Sequence, residues 1–107
     1  MRLALVVETN DPGTIWNGFR FANAALDAGH QVRTFLLGDG VEAPDIRGEG
    51  VNVHGIMVKY RRAGGHLLAC GTCMDDRNLE PTDLRPRSAM SDMVDLVEWA
   101  DETMTFG

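Results

Sequence analysis

An unbroken apolar run near the start of the chain restricts the folds open to it. Residues 2–8 read RLALVVE, without the apolar and polar alternation of a strand that has one face in water. Such a run predicts a strand covered on both faces, as in a parallel sheet. The turn residues of TNDPGT follow, and Thr14 is predicted to cap a helix that Gly29 ends. The apolar face of this helix consists of Ile15, Phe19, Ala22 and Leu26.

The strand and helix alternation continues through the middle of the chain. Residues 31–38, QVRTFLLG, predict a second strand, and the Gly- and Pro-containing residues 41–50 predict a loop. Asn52 is expected to cap a helix that runs to the basic residues 59–62, and HLLAC, residues 66–70, predicts a third strand. A strand, helix and strand in this order call for a right-handed parallel crossover.

The remaining residues predict a short helix, a brief strand and a closing helix and strand. The short helix begins within residues 70–73 and places Asp75 and Asp76 in its first turn; the brief strand lies around 87–90. Ser91 is predicted to cap the last helix, and ETMTF forms the final strand. The core face of that helix is expected to include Met93, Val94, Val97 and Ala100. We therefore expect an α/β fold, a three-layer α/β/α sandwich with a mostly parallel sheet of about five strands.

Length and charge exclude several classes of function. A chain of 107 residues holds one hydrophobic core, so residues 1–107 are expected to form a single domain. The 10 Lys and Arg against 16 Asp and Glu give a formal charge of -6, which disfavours direct binding to nucleic acid or anionic membranes. No apolar run approaches the ~20 residues of a membrane span, and MRLALVVETN does not fit a signal peptide, so we expect a cytoplasmic protein.

The chain has two cysteines: Cys70 is the last residue of the third predicted strand, and Cys73 follows three residues later. In open α/β sheets functional groups collect beyond the carboxyl ends of the strands, and backbone N–H groups of a following helix favour a thiolate at Cys70. Arg77 adds a cation there if its side chain folds back. The other candidates for binding at this edge are Asn10, Asp11, Gly38, Asp39, Gly71 and Thr72.

The residues alone leave four interpretations of this cysteine pair. These are a buried pair without function, a metal site, a dithiol redox pair and a reactive sulfur site. A structural zinc site has four protein ligands. The cysteine pair supplies two, and His66 is a candidate for a third, so the set is incomplete and we predict no metal. A thioredoxin-like motif follows an early strand and precedes a long helix, unlike this one. No Gly-Lys-Ser/Thr follows GDG and no GxGxxG follows the first strand, so no nucleotide cofactor is expected.

The whole chain resembles the DsrE/DsrF-like family of small sulfur-relay proteins. The resemblance lies in the opening RLALVVE strand, the helix ending in AGH, the apolar strand that delivers Cys70, the arginine seven residues later, and a final helix leading into TMTF. One departure is Asn78 after Arg77, where the family often has glycine; Asn tolerates positive φ, so the turn is compatible with it.

The resemblance implies a sulfur carrier or sulfurtransferase-like protein. Cys70 would accept sulfane sulfur as a persulfide and pass it to a partner, and Cys73 would release it by attacking Cys70. The implied partners are sulfur-donor and sulfur-acceptor proteins. Two alternatives are dithiol exchange by the pair and a non-catalytic oligomeric binding module. The resemblance also implies a homotrimer or hexamer, in keeping with large apolar residues such as Trp16 and Trp99 in a small chain.

Overall fold

The computed structural model of the protein describes residues 1–48 and 50–107 and contains a five-stranded parallel sheet. The strands are β1 (Arg2–Val7), β2 (Gln31–Leu36), β3 (His66–Cys70), β4 (Arg87–Ser88) and β5 (Glu102–Phe106). Their order across the sheet is β4-β3-β2-β1-β5, and each neighbouring pair is parallel. The predicted α/β fold is confirmed, with a sheet that is parallel throughout.

The helices cover both faces of the sheet. They are α1 (Pro12–Asp27), α2 (Val53–Arg62), α3 (Gly71–Asp76) and α4 (Met90–Trp99), together with a 3₁₀ helix (Gly38–Asp45). Adjacent residues of a strand point to opposite faces. Thr34 of β2 donates a hydrogen bond to the Tyr60 hydroxyl of α2 at 3.0 Å, whereas the Arg33 guanidinium lies 4.0 Å from the centre of the Trp99 ring of α4. The domain therefore has three layers.

The apolar opening run forms β1, an interior strand of the sheet, which explains why it lacks alternation. Every residue from Leu3 to Val7 is at most 4% exposed, because helices pack on both sides and β2 and β5 flank the strand. None of the helices within residues 1–48 and 50–107 is long and apolar enough to cross a lipid bilayer.

The first helix begins earlier than predicted. Its cap is Asp11, not Thr14: an Asp11 carboxylate oxygen accepts hydrogen bonds from the Thr14 backbone N–H at 2.9 Å and from its hydroxyl at 2.8 Å. These bonds, the hydroxyl bond first, hold the pKa of Asp11 below its usual value. Pro12 suits the first helical position, where no N–H partner is needed. The predicted stop is correct, since Gly29 follows the helix with φ +91°.

The last helix differs from its prediction in both its start and its buried face. It begins at Met90 after Ala89, so Ser91 is not its cap; the Ala89 N–H donates to the Asp92 carboxylate at 2.7 Å. The buried residue is Leu96, at 2% exposed. Met93 and Ala100 are partly buried against the core, whereas the prediction was wrong for Val94 and Val97, which are exposed.

Residues 41–45, half of the predicted loop 41–50, belong to helical structure instead. The 3₁₀ helix occupies Gly38–Asp45, and Glu49 lies outside the described residues. Buried Val41 and Ala43 anchor this helix to the core, and such tertiary contacts override the local preferences of Gly and Pro. It passes so close to the end of β1 that a Cβ placed on Gly40 would lie 1.9 Å from the Val7 carbonyl oxygen. The contact places the 3₁₀ helix directly against the end of β1.

Candidate functional site

Cys70 lies where β3 passes directly into α3. It is the last residue of the strand and the cap of the helix, and its Sγ accepts a hydrogen bond from the Cys73 backbone N–H at 3.4 Å. The residue is only 4% exposed, yet it lines a pocket of about 640 Å³ that opens to the surface. A backbone donor at this distance stabilises negative charge on the sulfur. The arrangement therefore suits a sulfur atom that reacts with a group entering the pocket.

Cys73 is held by a different part of the backbone. Its Sγ accepts a hydrogen bond from the Gly38 N–H at 3.3 Å, at the start of the 3₁₀ helix. Burial raises the pKa of the Cys73 thiol, and the neighbouring Cys70 sulfur raises it further, against the smaller opposing effects of Gly38 and Arg77. Both cysteines are free. The environment therefore favours a neutral thiol at position 73.

The Arg77 side chain folds back toward the two cysteines, which is the condition under which the sequence predicts that it adds a cation there. It follows α3 and donates to the Cys73 carbonyl oxygen at 2.9 Å. Its guanidinium also forms ion pairs with Asp39 at 2.7 Å and Glu42 at 3.2 Å, and the bond to Asp39 is the main cause of its raised pKa. Two carboxylates thus compensate its charge, so its main effect is to join α3 to the 3₁₀ helix.

Arg87 is a second cation at the pocket, and it was not among the residues predicted from the sequence. Strand β4 pairs Ser88 with Cys70, and this register puts Arg87 on the pocket wall. The guanidinium donates to both oxygens of Asp75, at 2.7 and 2.8 Å, and to the Gly71 carbonyl oxygen at 3.3 Å. A Cβ on Gly71 would lie 3.0 Å from the Arg87 Cζ, so glycine here permits the close approach.

The other predicted residues divide between the pocket and elsewhere. Gly71 and Thr72 line the pocket together with Ser88, Ala89, Met90 and Asp92. Asp75 and Asp76 are the last two residues of α3, so the prediction that they occupy its first turn was wrong. The helix dipole disfavours negative charge at the carboxyl end of a helix. For Asp75 this effect is offset by its ion pair with Arg87.

Asn10 and Asp11 do not join the cysteines in the part of the chain that the structure describes. Neither residue lines the cysteine pocket, and the Asp11 carboxylate is occupied in capping α1. His66 begins β3 whereas Cys70 ends it, so the two lie roughly 13 Å apart along the strand. Residues 1–48 and 50–107 hold no group of three His, Cys, Asp or Glu side chains suited to a metal ion.

We predict that Arg87 increases the reactivity of Cys70. Its guanidinium, which is paired with Asp75, lines the same pocket and attracts negative charge on the Cys70 sulfur. In a Cys73→Ser background, Arg87→Gln should slow alkylation of Cys70 by iodoacetamide at neutral pH by about threefold to tenfold. Arg20→Gln, an exposed arginine of α1, is the matched control. An unchanged rate for Arg87→Gln would show that the guanidinium serves only to bind Asp75.

The fold and site define a class: small, parallel α/β domains that place a cysteine at the end of the third strand and a second cysteine in the following helical turn. The sequence profile of the DsrE/DsrF-like family matches residues 1–106, and the chain belongs to this family. The predicted resemblance is thereby confirmed.

The chain is also similar to individual proteins. The chain is 32% identical over 94 residues to the uncharacterised protein MK0008 of Methanopyrus kandleri, covering 82% of this chain and 75% of that one. It is similar in structure to the ychN protein from E. coli, with a TM-score of 0.84 at 22% identity over 99% of this chain and 100% of that one. A conserved protein of unknown function from Bacteroides thetaiotaomicron, BT1422, gives a TM-score of 0.76 at 14% identity, over 98% and 94% of the two chains. These two structures support the fold alone.

Proposed function

We propose that this protein is a sulfur carrier that holds sulfane sulfur as a persulfide on Cys70 and passes it to a partner protein. The observation that carries the proposal is the environment of the Cys70 sulfur. It accepts a backbone hydrogen bond at 3.4 Å, and it lines a pocket that Arg87 also lines. Both features favour an anionic sulfur, as thiolate before loading and as persulfide afterwards.

Loading and delivery are two exchanges of the same kind. The Cys70 thiolate attacks the outer sulfur of a donor persulfide; a new S–S bond forms at Cys70, the donor S–S bond breaks, and the donor leaves as a thiolate. In delivery, the thiolate of an acceptor protein attacks the outer sulfur on Cys70, which returns to the thiolate. Neither step consumes an oxidant or reductant. Both need reduced thiols, which supports the cytoplasm as the compartment.

Cys73 provides a second route for the sulfur. After losing its proton, the Cys73 sulfur attacks the Cys70 sulfur of the persulfide; a Cys70–Cys73 disulfide forms, the bond to the outer sulfur breaks, and hydrosulfide leaves. An external dithiol then has to reduce the disulfide before another cycle. Burial of the Cys73 thiol, which raises its pKa, favours the protonated form and so slows this route relative to delivery.

Intact mass spectrometry tests the proposal directly. The protein is incubated with a cysteine desulfurase and sulfur-labelled cysteine, then measured without reductant. Persulfide formation adds about 32 Da and introduces the label, and a thiol reductant removes both. Dithiol exchange, the competing function, instead removes about 2 Da through an internal disulfide and incorporates no label. That second result, with no labelled species at any time, would contradict the carrier proposal.

We also propose that the protein is a homo-oligomer, a trimer or hexamer. The support is an apolar stripe on α4, formed by Met90, Val94 and Val97, which are 54%, 55% and 48% exposed. Spacings of four and three residues put them on one side of the helix, and adjoining exposed apolar residues are typical of an interface. Light scattering should give a mass of three or six chains, and Val94→Asp should lower it; a wild-type monomer would contradict the proposal.

A further inference from the structure

A second pocket lies between the 3₁₀ helix, α2 and the segment 82–84. Its volume is about 450 Å³, within the range of small-molecule sites. Apolar side chains of Pro44, Val58 and Leu84 form part of its lining. The basic residues that line it are Arg47, His54, Arg61 and Arg62. It shares no lining residue with the cysteine pocket, so the two pockets are separate places on the molecule.

The charge in this pocket is opposite to that of the whole protein. The chain has a formal charge of -6, yet three of its ten Lys and Arg residues line this one pocket. Within residues 1–48 and 50–107, none of these three arginines has a carboxylate partner within 4.0 Å. Of the two acidic residues in the lining, Asp45 is paired with Arg85 at 2.7 Å, which leaves only Asp83 to offset them.

Several contacts hold the walls of the pocket in place. Arg47 donates to the Pro44 and Ile46 carbonyl oxygens at 2.9 and 3.0 Å, so its guanidinium is oriented before any ligand arrives. Behind the wall, Arg85 is 4% exposed and donates to the Val41 carbonyl oxygen at 3.3 Å as well as to Asp45. A fixed wall lowers the ordering cost of binding.

The donors on the opposite wall are free to bind a ligand. Arg61 uses only its Nε, which donates to the Asp83 carbonyl oxygen at 3.4 Å, and its two terminal nitrogens have no partner among the described residues. Arg62 makes no side-chain hydrogen bond within residues 1–48 and 50–107. The helix dipole explains why cations suit the last turn of α2. It does not explain why Arg47 and His54 line the same pocket.

We propose that this pocket is a binding site for a small organic anion that joins an apolar body to a carboxylate, sulfonate or phosphate group. The apolar body would pack on Val58 and Leu84, and the anionic group would accept hydrogen bonds from Arg61 and Arg62. Guanidinium groups bind such oxyanions through paired, charge-assisted hydrogen bonds. The excess of positive charge selects against neutral and cationic compounds of the same size.

Two dyes that differ in one group provide the test. The probe 8-anilinonaphthalene-1-sulfonate has both an apolar body and a sulfonate, and N-phenyl-1-naphthylamine has the same rings without the charge. Fluorescence titration should show saturable binding of the sulfonate at one site per chain, and binding of the neutral dye weaker by at least about tenfold. Equal affinity for the two dyes would overturn the proposal, because it would place them on an uncharged apolar surface such as the stripe on α4.

Variants locate the bound probe. Arg61→Gln with Arg62→Gln should weaken sulfonate binding by about tenfold or more, and Arg47→Gln on the facing wall should weaken it in the same direction. All three arginines are exposed, so the fold should survive, which circular dichroism checks. Arg20→Gln is the control for net charge and should bind as wild type does. Wild-type affinity in the double variant would show that the probe binds elsewhere, and would overturn the proposal without touching the sulfur carrier.

Discussion

Cys70→Ser is expected to remove sulfur loading completely. After incubation with desulfurase and labelled cysteine, its intact mass should remain that of the unloaded chain, because a serine hydroxyl stays un-ionised at neutral pH and does not attack a persulfide. Cys73→Ser should still load. The hydrogen bond that reaches the Cys70 sulfur comes from the backbone N–H of residue 73, so this substitution leaves it in place.

The two serine variants serve as controls for each other, since both change one sulfur to oxygen in the same turn. In Cys73→Ser the internal route to a disulfide is closed, so the added sulfur should persist longer and release less sulfide than in the wild-type protein. Labelled sulfur on Cys70→Ser at the wild-type level would place the carrier sulfur elsewhere. Sulfide released equally fast from Cys73→Ser would show that Cys73 has no part in release.

Gly40→Ala is expected to destabilise the fold severely, although it adds only one methyl group. The new Cβ would lie 1.9 Å from the Val7 carbonyl oxygen, which is backbone of the interior strand β1 and cannot rotate away as a side chain could. Relief requires the 3₁₀ helix to move away from β1, which should cost about 3 kcal/mol or more of unfolding free energy. Chemical denaturation followed by circular dichroism measures the loss.

The matched control is Gly48→Ala, because a Cβ at that position has no atom within 4 Å among the described residues beyond Gly48 and its chain neighbours. Its unfolding free energy should stay within about 0.5 kcal/mol of wild type. Movement of the 3₁₀ helix would also withdraw the Gly38 N–H from the Cys73 sulfur, so the hydrogen bond that lowers the pKa of the Cys73 thiol would be lost. A loss below about 1 kcal/mol would mean that this helix is not held against β1 as tightly as the structure indicates.

Strong local patterns made much of the fold predictable. The apolar run of residues 2–8 identified the interior strand β1, Asn52 caps α2 as expected, and HLLAC identified β3, which ends at Cys70. These predictions rest on interactions within a few residues of sequence. The placement of Cys70 at a strand end followed from them without any knowledge of the sheet order.

Features that depend on contacts between distant segments could not be predicted from local sequence patterns. Arg87 reaches the cysteine pocket only because the two-residue strand β4 pairs with β3 in one register. Helix α4, MSDMVDLVEW, has apolar residues around most of its circumference, so its sequence does not decide whether Leu96 or Val97 faces the sheet. Asp11 and Thr14 are both good caps, and the proline between them favours the earlier start.

The pairing of β1 with β5 has a consequence for how the molecule is made. Leu3 lies opposite Glu102 and Val7 opposite Phe106, so one edge of β1 is completed by residues about a hundred positions later. On the ribosome, the backbone N–H and C=O groups along that edge remain open until residues 102–106 emerge. Folding should therefore be slow for so small a domain, and a nascent chain stalled before residue 102 should be prone to aggregation.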